Sequence, residues 1–285
     1  MDPVVMYLQQ AVAESSSDVY LIPDGKDYQL VKRQPGGLSQ REPLPGEEGR
    51  RWLNTLKFAA GMNLVEQRRV QIGRLTLTDV AAQMRLSTVG DHLDRETMVI
   101  RLLYGIPALD SYSRPLVETL VNAAESGGMI ALAGPTGAGK TTLLYQVARE
   151  LARNKMVLTI EDPVEILAPA FVQLQVNPQA GMTYEALLKA ALRHRPDVLV
   201  IGEIRDRATA QAGIEAALSG HVVLTTIHAR SAQGVAMRLQ ALGIAAPYVQ
   251  AALRVSGYLQ LAVEPVIHAQ LDLLPAVEKR GLFGA

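Results

Sequence analysis

Cysteine is absent from the 285-residue chain. That excludes disulfides, a thiol nucleophile, an iron–sulfur cluster and a cysteine zinc site, and it fits a reducing compartment. Charge of one sign is missing too, since 28 basic side chains balance 28 acidic ones. No direct nucleic-acid contact is therefore expected, and one Trp and three Phe leave little for base stacking. No apolar run approaches the ~18 residues of a membrane-spanning helix. The start, Met1-Asp2-Pro3, lacks the basic and apolar regions of a signal peptide. A cytoplasmic protein is expected, with any membrane contact made through a partner. His221 and His228, seven apart, would face opposite sides of one strand, which counts against a shared metal.

What is present suits a globular chain. Hydrophobic residues make up 48% and charged residues 20%, enough to bury a core. At roughly 150 residues per domain, the length suggests two domains. Residues 1–104 read as a small mixed domain. A helix is expected over Val4–Glu14, with Asp2 as N-cap and Pro3 in the first turn. Val19–Ile22 and Tyr28–Lys32 read as a hairpin around Pro23-Asp24-Gly25. Gln34–Gly49, rich in Pro and Gly, reads as a loop, and a helix follows over Glu47–Ala60. Val70–Leu86 alternates as two short strands, and Val99–Leu103 closes the segment. Residues 105–108 are the expected linker.

Over residues 109–285 the rhythm changes. Aliphatic runs at Met129–Ala133, Met156–Ile160, Val198–Ile201 and Val222–Ile227 alternate with helical segments at Thr141–Arg153, Thr183–Arg193 and Ala208–Ser219. That pattern predicts a parallel sheet covered on both faces. Residues 241–285 show no such rhythm and are expected to pack as terminal helices or strands.

The first of these runs enters Gly134-Pro135-Thr136-Gly137-Ala138-Gly139-Lys140-Thr141, a G-x-x-x-x-G-K-[ST] loop, and a helix leaves it. The glycines let backbone N–H groups approach phosphate oxygens, and the helix N-terminus adds partial positive charge. Lys140 should reach the β- and γ-phosphates of ATP, and the Thr141 hydroxyl should take a place on Mg²⁺. In an open α/β sheet, ligands sit beyond the carboxyl ends of the strands. Three polar groups are expected to converge there: Glu161, Glu203 and His228. Glu203 would orient the attacking water, contact Mg²⁺ through water, or both. Glu161 is a second candidate to polarise that water, and His228 could sense the γ-phosphate. Gly202 stands where many nucleotide-hydrolysing enzymes carry Asp. Arg193, Arg195, Arg205 and Arg207 form a basic cluster, either paired with Asp197 and Asp206 or kept for a phosphate or subunit contact.

These motifs together resemble the secretion and type IV pilus assembly ATPases, with the short competence-type members nearest in pattern. The phosphate loop extends to Thr142. An acidic box runs Thr159-Ile160-Glu161-Asp162-Pro163-Val164-Glu165. The second nucleotide motif covers Leu192–Asp206, and a histidine box covers Gly220–His228. Ser17-Asp18-Val19-Tyr20-Leu21-Ile22-Pro23 is similar to the family's front-domain start, with Tyr20 where His is usual. Gly73-Arg74, Arg85-Leu86-Ser87-Thr88 and Val99–Leu102 also match. The resemblance implies a RecA-like P-loop ATPase domain behind a smaller N-terminal α/β domain of PAS-like type. It implies a homohexamer, with ATP and Mg²⁺ in the cleft between the two domains and Arg85 and Arg101 as arginine fingers. The implied work is assembly of a pilus or pseudopilus through a polytopic inner-membrane platform protein. Missing cysteines exclude the zinc-bearing branch, and the C-terminal signature of retraction-type members is not found. Leu259-Gln260-Leu261 stands where the family usually has Gln-Arg-Leu. A retraction or type IV secretion motor, and a RecA- or helicase-type DNA motor, are the alternatives.

Overall fold

The computed structural model describes residues 2–262 and 268–275. It divides into two compact units, Met1–Gly105 and Ile106–Ala285. The first unit runs α1 (Pro3–Ala13), β1 (Asp18–Asp24), β2 (Asp27–Gln34), β3 (Gly37–Leu38), β4 (Glu42–Leu44), α2 (Gly46–Ala59), β5 (Gln71–Thr76), β6 (Gln83–Gly90) and β7 (Glu96–Leu103). Asp2 caps α1 by accepting the Val4 N–H at 3.1 Å. The strands form one antiparallel sheet in the order β3-β2-β1-β7-β6-β5, with β4 also on β2. Alternation sends Val19, Leu21, Leu30, Leu75, Met84, Leu86, Ile100 and Leu102 to one face, where they pack with Val4, Leu8, Trp52, Leu53 and Leu56 of the two helices. Each such side chain contributes about 1.5–3 kcal/mol by leaving water.

The stretch expected as a loop over Gln34–Gly49 instead carries β3, β4 and the start of α2. Both strands are short and pair only with β2. Pro43 is tolerated in such an outer strand, where its missing N–H interrupts no inner ladder.

The second unit runs α3 (Ser113–Ala124), β8 (Gly128–Ala133), α4 (Lys140–Leu151), β9 (Val157–Glu161), β10 (Val172–Gln175), a 3-10 turn (Pro178–Ala180), α5 (Tyr184–Arg193), β11 (Val198–Ile204), α6 (Arg207–Leu218), β12 (Val222–Ile227), α7 (Ala232–Ala241), α8 (Ala246–Ala252), β13 (Leu253–Ala262) and β14 (His268–Pro275). The sheet order is β10-β9-β11-β12-β8-β13-β14. All its pairs are parallel except the closing β13–β14 hairpin. Strands β8, β9 and β12 are buried throughout, as continuous aliphatic runs require when both faces are covered. Helices α5 to α8 cover one face, and α3 and α4 cover the other. Residues 106–109, partly expected as linker, are strapped to α4. Gln146 donates to the carbonyls of Pro107 and Ala108, both at 3.3 Å, and Arg149 donates to Pro107 at 3.1 Å. Among the described residues, no helix is long and apolar enough to cross a membrane.

Candidate functional site

The loop between β8 and α4 is built around its glycines. Gly134 has φ +143, and a Cβ there would fall 2.0 Å from the Leu259 carbonyl oxygen of β13. Only glycine fits that approach. Gly139 occupies the N-cap position of α4 in the left-handed region, φ 86, and no side chain caps the helix. The first N–H groups of α4 are therefore left for an anion. Pro135, Thr136 and Gly137 are exposed, Ala138 is buried, and Thr141 and Thr142 are half-buried at the helix start. Lys140 curls back over the loop and donates to the carbonyls of Gly134 at 3.0 Å and Pro135 at 2.7 Å. Burial pulls its ammonium below the usual lysine range, while Glu203 and Glu165 oppose that shift. The ammonium thus sits within the field of Glu203.

Glu203 owes its position to a bulge. Ile201 faces Thr225 on β12, but Ile204 faces Ile227, so β11 gains one residue over its partner. Such a bulge re-aims a side chain at a strand end. The Glu203 carboxylate meets Arg205 through one oxygen and His228 Nε2 at 3.3 Å through the other. The Arg205 guanidinium holds the carboxyl below the usual carboxylate range. Gly202 is small for a local reason, since a Cβ there would lie 3.2 Å from the Tyr184 hydroxyl and 3.3 Å from the Ile160 carbonyl. Its own carbonyl accepts the Thr226 hydroxyl at 2.8 Å.

The structure brings Lys140, Glu203 and His228 together but does not add Glu161 to that open cluster. The Glu161 carboxylate is buried on the α4 side of the sheet. It accepts the Tyr145 hydroxyl and, at 2.6 Å, the Thr159 hydroxyl. Thr159 lies two residues earlier on the same face of β9, and Tyr145 comes from α4. Burial pushes the Glu161 carboxyl up, against these donors. Gln173 of β10 donates to Tyr145 at 2.9 Å and to the Ile166 carbonyl at 2.8 Å. Neither Tyr145 nor Gln173 stood out in the sequence, because their roles depend on contacts between elements. Of the two readings of the arginine cluster, pairing with Asp197 and Asp206 finds no ion pair among the described residues. Asp197 accepts the Met156 N–H at 2.7 Å, Asp206 caps α6 at Thr209, and Arg205 goes to Glu203.

In the first unit, Arg85 and Arg101 lie on the sheet face away from the helices. Arg101 stands directly opposite Arg85, and Arg85 directly opposite Arg74. Like charges so placed repel, and at Arg101 the Asp18 carboxylate offsets this, 2.9 Å from its Nε. Arg74 enters this row through register alone.

A bound ATP fits the second unit's loop by the features just described: an uncapped helix start, a glycine cradle and a lysine folded over the loop onto two of its carbonyls. Among the described residues, no group of three His, Cys, Asp or Glu could hold a metal. Thr141 at the start of α4 and Glu203 at the strand end are the oxygen groups that could stand beside a phosphate-bound Mg²⁺, an ion that commonly keeps few protein ligands.

Known proteins bear on this arrangement. The model of the family described as "Type II/IV secretion system protein" matches residues 3–267. The competence protein ComGA of Streptococcus pneumoniae (strain ATCC BAA-255 / R6) is 40% identical over 239 residues, 83% of this chain and 76% of that protein. ComGA of Bacillus subtilis (strain 168) is 37% identical over 246 residues, 83% of this chain and 69% of that protein. The X-ray structure of the Legionella pneumophila ATPase DotB superposes with a TM-score of 0.76 at 23% identity, covering 98% of this chain and 82% of that one. At that identity the likeness speaks for the fold.

Proposed function

Because this chain belongs to the type II/IV secretion system protein family, we propose that it is an ATP-hydrolysing motor that assembles a type IV-like pilus or pseudopilus of the competence kind. The observation that carries the reading is the glycine loop itself, with Lys140 folded over it at 3.0 and 2.7 Å and an α4 start that no side chain caps. Phosphoryl transfer asks a protein for positioning and charge neutralisation more than for covalent chemistry. Lys140 would exchange its two loop carbonyls for phosphate oxygens. The N–H groups at the start of α4 would hold the β-phosphate. Glu203, kept ionised by Arg205, would orient the attacking water, and His228 at its other oxygen would report the γ-phosphate. Thr141 and Glu203 would hold Mg²⁺, which would supply charge neutralisation to the phosphates. Arg101, Arg85 and Arg74 would bring positive charge to the transferring phosphoryl group. The working form would be a homohexamer, acting on a polytopic membrane platform protein that holds the motor at the cytoplasmic membrane.

The test compares two variants of the full chain. Lys140→Ala should lower ATP turnover by at least about a hundredfold. Glu203→Gln should keep binding of a fluorescent ATP analogue and stall hydrolysis. Wild-type turnover in Lys140→Ala would remove the site assignment, and lost binding in Glu203→Gln would make Glu203 structural. Strong, salt-sensitive stimulation by single-stranded DNA would favour a DNA motor instead.

A further inference from the structure

Charged side chains span the open face of the first unit's sheet in one line: Arg33 on β2, Asp18 on β1, Arg101 on β7, Arg85 on β6 and Arg74 on β5, each directly opposite the next. Asp18 is the only acid in this line, and its side chain is 5% exposed, while those of Arg33 and Arg101 are 52% and 53% exposed. A buried carboxylate between two arginines must be shared or assigned. Here its hydrogen bonds are assigned, while Arg33 keeps only a long ion pair. Arg101 Nε donates to Asp18 Oδ1 at 2.9 Å. The Ser17 hydroxyl occupies Oδ2 at 2.8 Å. Arg33 Nε stays 4.0 Å from Oδ2 and instead donates to the Tyr20 hydroxyl at 3.0 Å, with its guanidinium over that ring at 5.9 Å. Tyr20 is the residue that stands where the family resemblance leads one to expect His.

We infer that Asp18 is a positioning residue for Arg101, and that Tyr20 protects this pairing by holding Arg33 away from it. The bond uses the inner nitrogen of the guanidinium. Neither terminal nitrogen of Arg101 donates a hydrogen bond among the described residues. An arginine fixed through Nε keeps its outer pair aligned for two oxygens of a phosphate, with less freedom left to lose on binding. The inference rests on the reading that Arg101 contacts the transferring phosphoryl group.

The test measures kcat and KM for ATP on the full chain, with folding checked by thermal melting. Arg101→Ala should lose at least about tenfold in kcat. Asp18→Asn should lower kcat by about tenfold with little change in KM, because a misaimed guanidinium fails mainly in the transition state. Asp18→Asn combined with Arg101→Ala should be no slower than Arg101→Ala alone. Tyr20→Phe frees Arg33 to compete for Asp18 and should cost about three- to tenfold in kcat, the scale of one hydrogen bond. Adding Arg33→Gln should restore that loss. Wild-type kcat in Arg101→Ala would remove the phosphate reading and the inference with it. A slow Arg101→Ala beside a normal Asp18→Asn would overturn the positioning role alone. So would multiplied losses in the double variant, which mean that Asp18 acts without Arg101. If Asp18→Asn fails to fold, the Tyr20→Phe pair decides, and no restoration by Arg33→Gln overturns the inference.

Discussion

Glu161 and Glu203 end neighbouring strands of one sheet, yet their surroundings give them opposite acidities. Arg205 pulls Glu203 down, and burial pushes Glu161 up. Neighbouring strand ends can thus hold carboxyl groups whose acidities are driven apart by their surroundings. The divergence also has a consequence for stability. A carboxyl whose folded pKa lies above its unfolded value binds a proton more readily in the folded chain. Its contribution is greatest in acid and declines as pH rises through the folded value. Glu161→Gln removes the buried charge while keeping an oxygen for the hydroxyls of Tyr145 and Thr159. The variant should therefore melt higher than wild type, with a gap that widens from about pH 5 to about pH 8. A gap that narrows over that range would mean that this carboxyl does not titrate as its burial requires.

At the scale of elements, α2 is tied to β7 by an ion pair rather than by apolar contact alone. Lys57 Nζ lies 2.7 Å from Glu96, and the two side chains are 0% and 5% exposed. Lys57 also donates to the Glu66 carbonyl at 2.8 Å, which fastens the segment leading to β5. Lys57→Met would leave Glu96 buried without a partner, at a cost of about 3–5 kcal/mol. Pairing it with Glu96→Leu should recover much of that loss in urea unfolding. A single variant as stable as wild type would show that the pair carries little. In the sequence Lys57 looked like an ordinary residue near a helix end, so this tie was not legible. What was legible followed from periodicity and from backbone chemistry. Continuous aliphatic runs marked β8, β9, β11 and β12, because strands covered on both faces need no polar side. The place of the glycine loop between β8 and α4 was legible because its glycines and lysine recur at a fixed spacing between a strand and a helix. In contrast, β13 carries Arg254, Ser256, Gly257 and Gln260 and shows no aliphatic run. Its strand character comes from pairing with β8 and β14. At Gly257 the side chains of Leu132 and Leu271 come so close that a Cβ would lie 2.6 and 2.8 Å from them. No local pattern encodes that. The contacts of Tyr145 and Gln173 were hidden for the same reason.

For the whole molecule, each unit has a core of its own. The first, Met1–Gly105, has the size of a common single domain. A fragment of residues 1–105 should unfold in urea as one cooperative transition, followed by circular dichroism. A gradual, non-cooperative loss of signal would mean that it depends on the rest of the chain. The second unit is arranged differently in time. Its nucleotide loop hangs from β8, which lies between β12 and β13. The Leu259 carbonyl of β13 closes the space behind Gly134. During synthesis the ribosome releases Gly134–Thr142 well before the strand that backs them. A nascent chain carries the phosphate-binding signature before it has the wall behind it. Until residues 253–259 have emerged, nothing fixes the back of the loop, so its glycine cradle is completed by one of the last strands to be made.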